Sequence, residues 1–442
     1  MANLIDNLYN AFDPSQPLPA NDPRYVDFQA VRGDTDVRVD VGRSIKRSDR
    51  MTCQLYTGHR GGGKSTELRR LQAYLIEQNF HVVYFEADEE DIDPEDTQYT
   101  DILLACTRRL IEDLNQFAKP TPLLDWLQSR WQEVKELALS EVEFQKMTVE
   151  AQIAQFAKLT ANLRTVPSLR HQIRTKVESH TVTLLKALNE FIGEAKQNLP
   201  DGETQLAVIV DNLDRIVPVP QASGQLNHEE IFLDRSEQLR ALDCHVVYTV
   251  PISMVYSKRA TDLREIYDGD ETNILPMVMV HSPEGEVYEP GLAKMKEAIA
   301  RRVARFAPDA ALVEDIFESE ETLNGLCLMS GGHIRNLMLL AKAAIGQTNQ
   351  FPITQTSVKR SITKLRDTYR RTVQAGEWEL LAKVANSKQI DNSDEYRSLL
   401  FNRCLLEYCY YDDEGELQRW YDVHPLMRGI REFKDAVAKL EQ

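Results

Sequence analysis

The sequence predicts an α/β fold, a parallel sheet whose first strand runs into a phosphate-binding loop. Three observations predict it. The stretch YTGHRGGGKSTELRRL, residues 56–71, matches G-x-x-x-x-G-K-[ST] over positions 58–65. A second apolar run, 206–210, ends in Asp211. Short β-prone runs recur along the chain, each about one helix from the next where no insertion intervenes.

Such a loop needs a strand before it and a helix after it, so that its amides face the phosphates. MTCQLYT (51–57) is apolar and β-prone, and KSTELRRLQAYLIEQN places Leu68, Leu71, Leu75 and Ile76 on one helical stripe. Gly58, His59, Arg60, Gly61, Gly62 and Gly63 are then expected to wrap the phosphates of ATP or ADP. Lys64 would reach the terminal phosphates, Ser65 would offer its hydroxyl to Mg2+, and Thr66 would add a second hydroxyl.

Hydrolysis needs a second acidic strand, and QLAVIVDNLDRI supplies one. Asp211 falls at its C-terminal end, where open α/β sheets place ligand chemistry, and reads as a Mg2+ ligand acting through water. Asn212 follows it, and the next acid is Asp214, so slow hydrolysis is expected. HVVYFEAD from His81, CHVVYTVP from Cys244 and NILPMVMVH from Asn273 supply three more strands. Thr249 ends the middle one and reads either as a contact to the γ-phosphate or attacking water, or as a plain β-branched strand residue.

No glycine occurs between Lys64 and Gly193, and residues from about 100 to 197 are dominated by helix formers. This helical insertion, broken near Pro120, Pro122 and Pro167, is expected to project from the sheet as a hairpin or small bundle. Within it Arg164, Arg170, His171, Arg174 and Lys176 form the strongest basic stripe. Without stacking aromatics it reads as a solvated face rather than a nucleic-acid site. The acidic run EADEEDIDPED (86–96) lacks calcium-loop spacing and reads as a solvated loop.

Composition bounds the rest. A chain of 442 residues suggests two to four units. With 27% charged residues and no apolar run near the roughly 20 a membrane span needs, it reads as soluble. The N-terminus carries no basic-then-apolar signal, so a cytoplasmic location is expected. Six scattered cysteines fit reduced thiols, not a disulfide framework or zinc site. A net charge of -17 argues against a surface that attracts phosphate everywhere.

GHRGGGKS, VIVDNLD, the Thr249 strand and MSGGHIRNLMLLAKAAI together resemble the AAA+ and STAND branches of the ASCE-type P-loop NTPases. Their arrangement is closest to origin-recognition-type and related bacterial ATPases, and the resemblance covers most of the chain. It implies a linker segment (1–48), a P-loop ATPase domain (49–285), a helical lid (286–372) and a winged-helix-like domain (373–442). In the lid, Arg335 would open a helix and reach back to the terminal phosphates, with Gly331 and Gly332 permitting the close approach. In the C-terminal domain, helices precede LLEYCYYD, a turn containing Gly415, and LQRWYDVHP. His424 resembles the winged-helix histidine that contacts the ADP β-phosphate in STAND proteins; a core or capping histidine is the alternative. The segment NDPRYVDFQAVRG corresponds to a linker that lies over the adenine in relatives. Arg259 and Arg264 both stand where an arginine finger for a neighbouring subunit would fall, which would go with a homo-oligomer.

The resemblance implies an ATPase switch that controls a protein partner or effector supplied in trans, as in bacterial antiviral defence or signalling systems. The alternative is a DNA-binding loader or transposition-type regulator, which the acidic hairpin turn DDEGE disfavours.

Overall fold

The computed structural model describes residues 2–130, 133, 147–200, 202–221, 224–267 and 272–441. Most of WQEVKELALSEVEFQK, within the expected insertion, lies outside them. The chain forms two compact units. One comprises Val37–Thr57 and Leu71–Asn273, the other Met1–Asp36, Gly58–Arg70 and Ile274–Gln442.

The first unit is built on the sheet. Its strands are β1 (Cys53–Gly58), β2 (Phe80–Glu86), β3 (Gln205–Asp211) and β4 (His245–Thr249), and β5 (Asn273–Leu275) completes the order β2-β3-β4-β1-β5. The pairings β2–β3, β3–β4 and β4–β1 are parallel. β1, β3 and β4 are buried along almost their whole length, as continuous apolar runs should be when a parallel sheet is covered on both faces. Register brings Tyr56 opposite Thr249 and Glu86 opposite Asp211. The strand read from NILPMVMVH stops at Leu275. Pro276 has no amide to donate, and the next amides turn elsewhere: Met277 N–H to Glu407 O, Met279 N–H to Val31 O.

Helices Tyr99–Leu114, Thr121–Ser129, Val149–Thr165 and Pro167–Gln197 form the described part of the insertion. It does not stand apart from the sheet. Leu188, Phe191 and Ile192 share one buried cluster with Leu206, Val208 and Val246 of the strands and with Trp126 and Phe156. The long final helix thus performs the crossover that a parallel sheet requires, its apolar stripe covering the strands. Each such side chain contributes about 1.5–3 kcal/mol by full burial.

Two features read separately in the sequence prove to be partners. Arg170 pairs with Asp93 (2.8 Å) and Asp96 (2.7 Å), and Arg174 with Asp96 (2.8 Å) and Asp101 (2.6 Å). Arg108 and Arg109 both reach Asp91, at 2.9 Å each. Arg170 and Arg174, at the centre of the basic stripe, are therefore buried and paired with Asp93 and Asp96 of the acidic run and with Asp101 beyond it, while His171 of the stripe and Glu89, Glu90, Glu95 and Asp96 of the run are exposed, as expected of solvated segments. Burial of a guanidinium or carboxylate is tolerated only when it is paired, and that requirement draws the two together.

The second unit is mainly helical. Helix Ala2–Ala11 lies on helix Ile334–Ile345, with Leu8 and Phe12 buried and Lys342 bonded to Asp13. Glu289–Ala304, Glu320–Met329 and Gln355–Arg370 are the other lid helices. Helices Glu377–Ser387 and Asp394–Phe401 then lead into an antiparallel hairpin, β6 (Leu405–Tyr411) and β7 (Leu417–Val423), followed by helix Arg431–Leu440. This is a winged-helix arrangement. Gly415 takes φ +81° in the hairpin turn, as read. All six cysteines are buried and none is in a disulfide. No helix among the described residues is long and apolar enough to cross a membrane.

Candidate nucleotide site

The loop residues 58–66 belong to the unit that carries the lid and the C-terminal hairpin. Gly58 (φ +146°), Gly61 (+84°) and Gly63 (+111°) adopt backbone that residues with a side chain rarely take. Gly62 N–H closes the turn on His59 O at 3.0 Å, and helix Lys64–Glu77 starts directly behind it. A loop that turns into a helix N-terminus presents unpaired amides and the positive end of the helix dipole, which suits phosphate. Lys64 is buried, and its Nζ donates to Gly58 O (2.8 Å) and His59 O (3.1 Å). Ser65 is partly exposed, while Thr66 Oγ1 accepts from Leu18 N at 3.2 Å.

The N-terminal segment wraps the loop and its helix. Arg32 Nη2 donates to Gly62 O at 3.1 Å. Arg70 lies 4.3 Å over the Tyr25 ring, whose hydroxyl donates to Glu67 at 3.3 Å. The Arg32 contact carried no signal in the sequence, because it depends on where the segment folds back.

The lid holds the loop from the other side. His333 caps helix Ile334–Ile345 by accepting from Asn336 N at 3.1 Å, and its Nε2 bonds Arg60 O at 2.7 Å. Arg335 N–H donates to Gly61 O at 3.1 Å, so the first turn of that helix is fastened to the loop backbone. Side-chain carbons of His333 and Arg335 lie where a Cβ on Gly61 would be, 2.7 and 2.8 Å away. Gly331 (φ +62°) and Gly332 (φ +74°) do permit a close approach, but to protein: a Cβ on Gly332 would fall 1.7 Å from Val278 O, and one on Gly331 2.7 Å from Pro425.

The C-terminal hairpin reaches the loop as well. Glu407 N–H of β6 donates to His59 Nε2 at 3.0 Å. Glu407 is fully buried and paired with Arg419, and Tyr408 stacks on Trp420 at 4.5 Å. His424 is also fully buried. It caps the turn Pro425–Gly429 by accepting from Leu426 N (3.3 Å), and its other nitrogen faces the Asn336 amide at 2.7 Å. Tyr369 lies 4.6 Å from its ring and His333 6.5 Å, so one histidine separates it from the loop carbonyl of Arg60.

Burial drives these histidines toward the neutral form. His59 and His424 are each pushed down to about 3, His59 by desolvation and then by the Lys64 charge, His424 by desolvation and then by Arg403. His333 is also held well below its usual value by burial. An unfolded histidine titrates near 6.5, so between there and about 3 the unfolded chain binds protons that the fold refuses. The stability is present above pH 6.5 and is lost as pH falls below it, by up to about 1.4 kcal/mol per histidine per pH unit. The thermal midpoint should therefore drop between pH 6.5 and 4.5, and less steeply in His424→Gln. Equal slopes by circular dichroism would refute this account.

The acidic strand ends lie in the sheet unit. Asp211 is fully buried; Tyr84 Oη donates to its Oδ2 and Asn212 N–H to its Oδ1, each at 2.6 Å. Asn212 takes a left-handed φ of 68° and its Nδ2 donates to Glu86 Oε2 at 2.9 Å. Thr249 Oγ1 accepts from Leu213 N at 2.9 Å, tying the end of β4 to the turn after β3. Asp214 is buried in that turn, beside Arg215, which pairs with Asp88 at 2.7 Å. Arg259 pairs with Asp234 (2.7 Å) and Asp262 (3.1 Å), and Arg264 is exposed on helix Ala260–Ile266. Sequence reasoning read Glu86 with the acidic run that follows it and gave Tyr84 no role, although an apolar run ending in an acid, VVYFE, repeats the signal that marked Asp211.

Among the described residues no group of three or more His, Cys, Asp or Glu side chains is placed to hold a metal alone. The Ser65 hydroxyl on the loop is a hard oxygen donor, of the kind a hard cation takes beside water and phosphate oxygens.

No family model and no curated protein matches the chain. Solved structures similar to it include Cdc6p from Pyrobaculum aerophilum, at 10% identity over 98% of both chains with a TM-score of 0.41. The Aeropyrum pernix ORC2 protein, solved as ADPNP-ADP complexes, is similar at 10% identity over 98% of both chains, with a TM-score of 0.43. A Walker-type ATPase of Pyrococcus abyssi is similar at 12% identity over 94% of this chain and 98% of that one, with a TM-score of 0.42.

Proposed function

We propose that this chain is an ATP-binding, slowly hydrolysing switch whose lid and C-terminal domain respond to the nucleotide and control a protein partner. The observation that carries this reading is the fastening of the phosphate loop. Three consecutive loop residues are bonded to two different elements: His59 to β6, and Arg60 and Gly61 to the N-cap His333 and the first turn of the lid helix. A loop held this way cannot change shape without changing those bonds.

The phosphates of a nucleotide would compete with the Gly58 and His59 carbonyls for the Lys64 ammonium. Ser65 and, through water, Asp211 would hold Mg2+, which supplies charge neutralisation to the phosphates. Arg335 is the lid side chain proposed to approach the terminal phosphates, and His424 the residue through which the C-terminal domain answers to ADP. Asp214 and Thr249 would position water or hold the turn after β3. Arg259 or Arg264 would serve a neighbouring copy if ATP assembles the chain into a homo-oligomer. DNA loading is the weaker reading, because the arginines at the centre of the basic stripe are occupied by Asp93, Asp96 and Asp101.

The test is to denature purified protein, identify the nucleotide released, and measure ATP turnover with and without duplex DNA at low salt. The expected result is retained ADP, turnover well below the roughly 1–1000 per second usual for enzymes, and no effect of DNA. Nucleotide-free protein with fast turnover and salt-dependent DNA binding would overturn the switch reading in favour of a loader.

A further inference from the structure

We infer that the C-terminal end of helix Glu289–Ala304 and the segment 22–25 folded against it form a binding site for a phosphate-bearing anion, which Arg302 grips through Nε and Nη2 and which Arg24 and Arg305 attract. The site lies within the unit that carries the lid, and its ligand is separate from the phosphates assigned to Lys64.

Helix and segment are tied by Arg301, whose Nη1 donates to Tyr25 O and whose Nη2 donates to Glu297 Oε1 at 2.6 Å. The next residue, Arg302, shares the buried face of the helix with Ala298 and Ile299 and is only 8% exposed. A buried arginine is ordinarily paired with a carboxylate, because an unmet charge is costly to remove from water. Arg170 and Arg174 obey that rule, and Arg302 does not. Its one hydrogen bond runs from Nη1 to Ala298 O at 2.9 Å, a carbonyl that its own backbone amide already uses inside the helix. Among the described residues no carboxylate pairs with it. The carboxylates at hand are taken: Asp22 by Arg24 through bonds of 2.7 and 2.9 Å, Glu297 by Arg301 and by Lys294 at 3.0 Å. Nε and Nη2 of Arg302 are left without a partner, and neither is sealed from solvent.

The charges around it favour a dianion. Burial and then the Arg24 charge pull the Arg302 guanidinium down to about 10, with Asp22 opposing them from a distance, so it remains a cation at neutral pH. Asp22 is itself held below the usual carboxylate range by its bond to Arg24 and, more weakly, by Arg305. Three guanidiniums thus share one carboxylate, an excess of two positive charges in a chain whose net charge is -17. A phosphate monoester carries about −1.5 to −2 at pH 7 and matches that excess. Nε and Nη2 are adjacent prongs of one planar fork, the geometry that takes two oxygens of a phosphate. Arginines near a helix C-terminus also favour the helix dipole, but an exposed side chain such as Arg305 serves that purpose, and burying Arg302 adds a cost without adding to it.

The experiment measures thermal midpoints and calorimetric affinity for inorganic phosphate and for phenyl phosphate, against sodium chloride at matched ionic strength, in wild type, Lys64→Ala, Arg302→Met and Arg302→Lys. Phosphate should stabilise wild type and Lys64→Ala alike. In phosphate-free buffer Arg302→Met should be at least as stable as wild type, because methionine fills the space of the stem and removes an unmet buried charge. It should lose phosphate affinity by more than about tenfold, the worth of one charge-assisted hydrogen bond. Arg302→Lys keeps the charge without the fork and should fall between the two. A response to inorganic phosphate alone supports the site with the free ion as its ligand, and equal responses support it with an organic monoester. Lower stability of Arg302→Met than of wild type in phosphate-free buffer would make the arginine structural and overturn the proposal. So would an undiminished phosphate response in Arg302→Met, or a wild-type response no larger than that to chloride. A response that disappears in Lys64→Ala would assign the phosphate to the loop, overturning this site while leaving the nucleotide reading standing.

Discussion

Lys64→Ala will lower ATP affinity by about 100-fold or more and abolish measurable turnover. An ammonium bonded to phosphate oxygens makes charge-assisted hydrogen bonds of about 1.5–3 kcal/mol each. Losing two of them is about 3–6 kcal/mol, beyond 100-fold in the dissociation constant. The same ammonium holds Gly58 O and His59 O at 2.8 and 3.1 Å, so the substitution also loosens the loop itself. Titration with a fluorescent ATP analogue, alongside the thermal midpoint, separates the two effects. Wild-type affinity in Lys64→Ala would mean that nucleotide binds elsewhere.

Arg174→Met will destabilise the sheet unit by about 3–5 kcal/mol, the usual cost of removing one member of a buried ion pair. Arg174 Nε and Nη2 grip Asp101 at 3.0 and 2.6 Å, and the Asp101 side chain has no exposure at all. That carboxylate also accepts from Gln98 N at 3.0 Å, capping helix Tyr99–Leu114. Methionine fills the space of the arginine stem but leaves a buried charge with no cation. Adding Asp101→Asn removes the charge while keeping an oxygen for the cap, so the double variant should be more stable than Arg174→Met alone. Urea unfolding of the four chains measures the coupling. Additive losses would show that the two side chains stabilise the fold independently.

Much of the site was legible because its chemistry is local. The glycines from Gly58 to Gly63, the lysine after them and the strand and helix on either side are consecutive residues, and their conformational demands are written in their types. Asp211 was legible for a similar reason, as an acid closing an apolar run. Glu86 was not, because it was read with the acidic loop that follows it. Only strand pairing makes it the neighbour of Asp211. The basic stripe misled for the converse reason: charge spacing on one helix gives no sign of an acidic partner 77 positions away, as between Arg170 and Asp93.

The sequence by itself determined the parallel α/β class, the loop, the helical insertion and the C-terminal hairpin, since each follows from periodicity or backbone preference within a short window. The tertiary structure decided which of the chemically capable residues meet. It put His333 and the Glu407 amide on the phosphate loop, buried His424 behind them, and spent Arg170 and Arg174 on aspartates of their own chain. Long-range partners are set by packing and by the cost of leaving a buried charge or donor unmet, and neither is a property of any one stretch of chain.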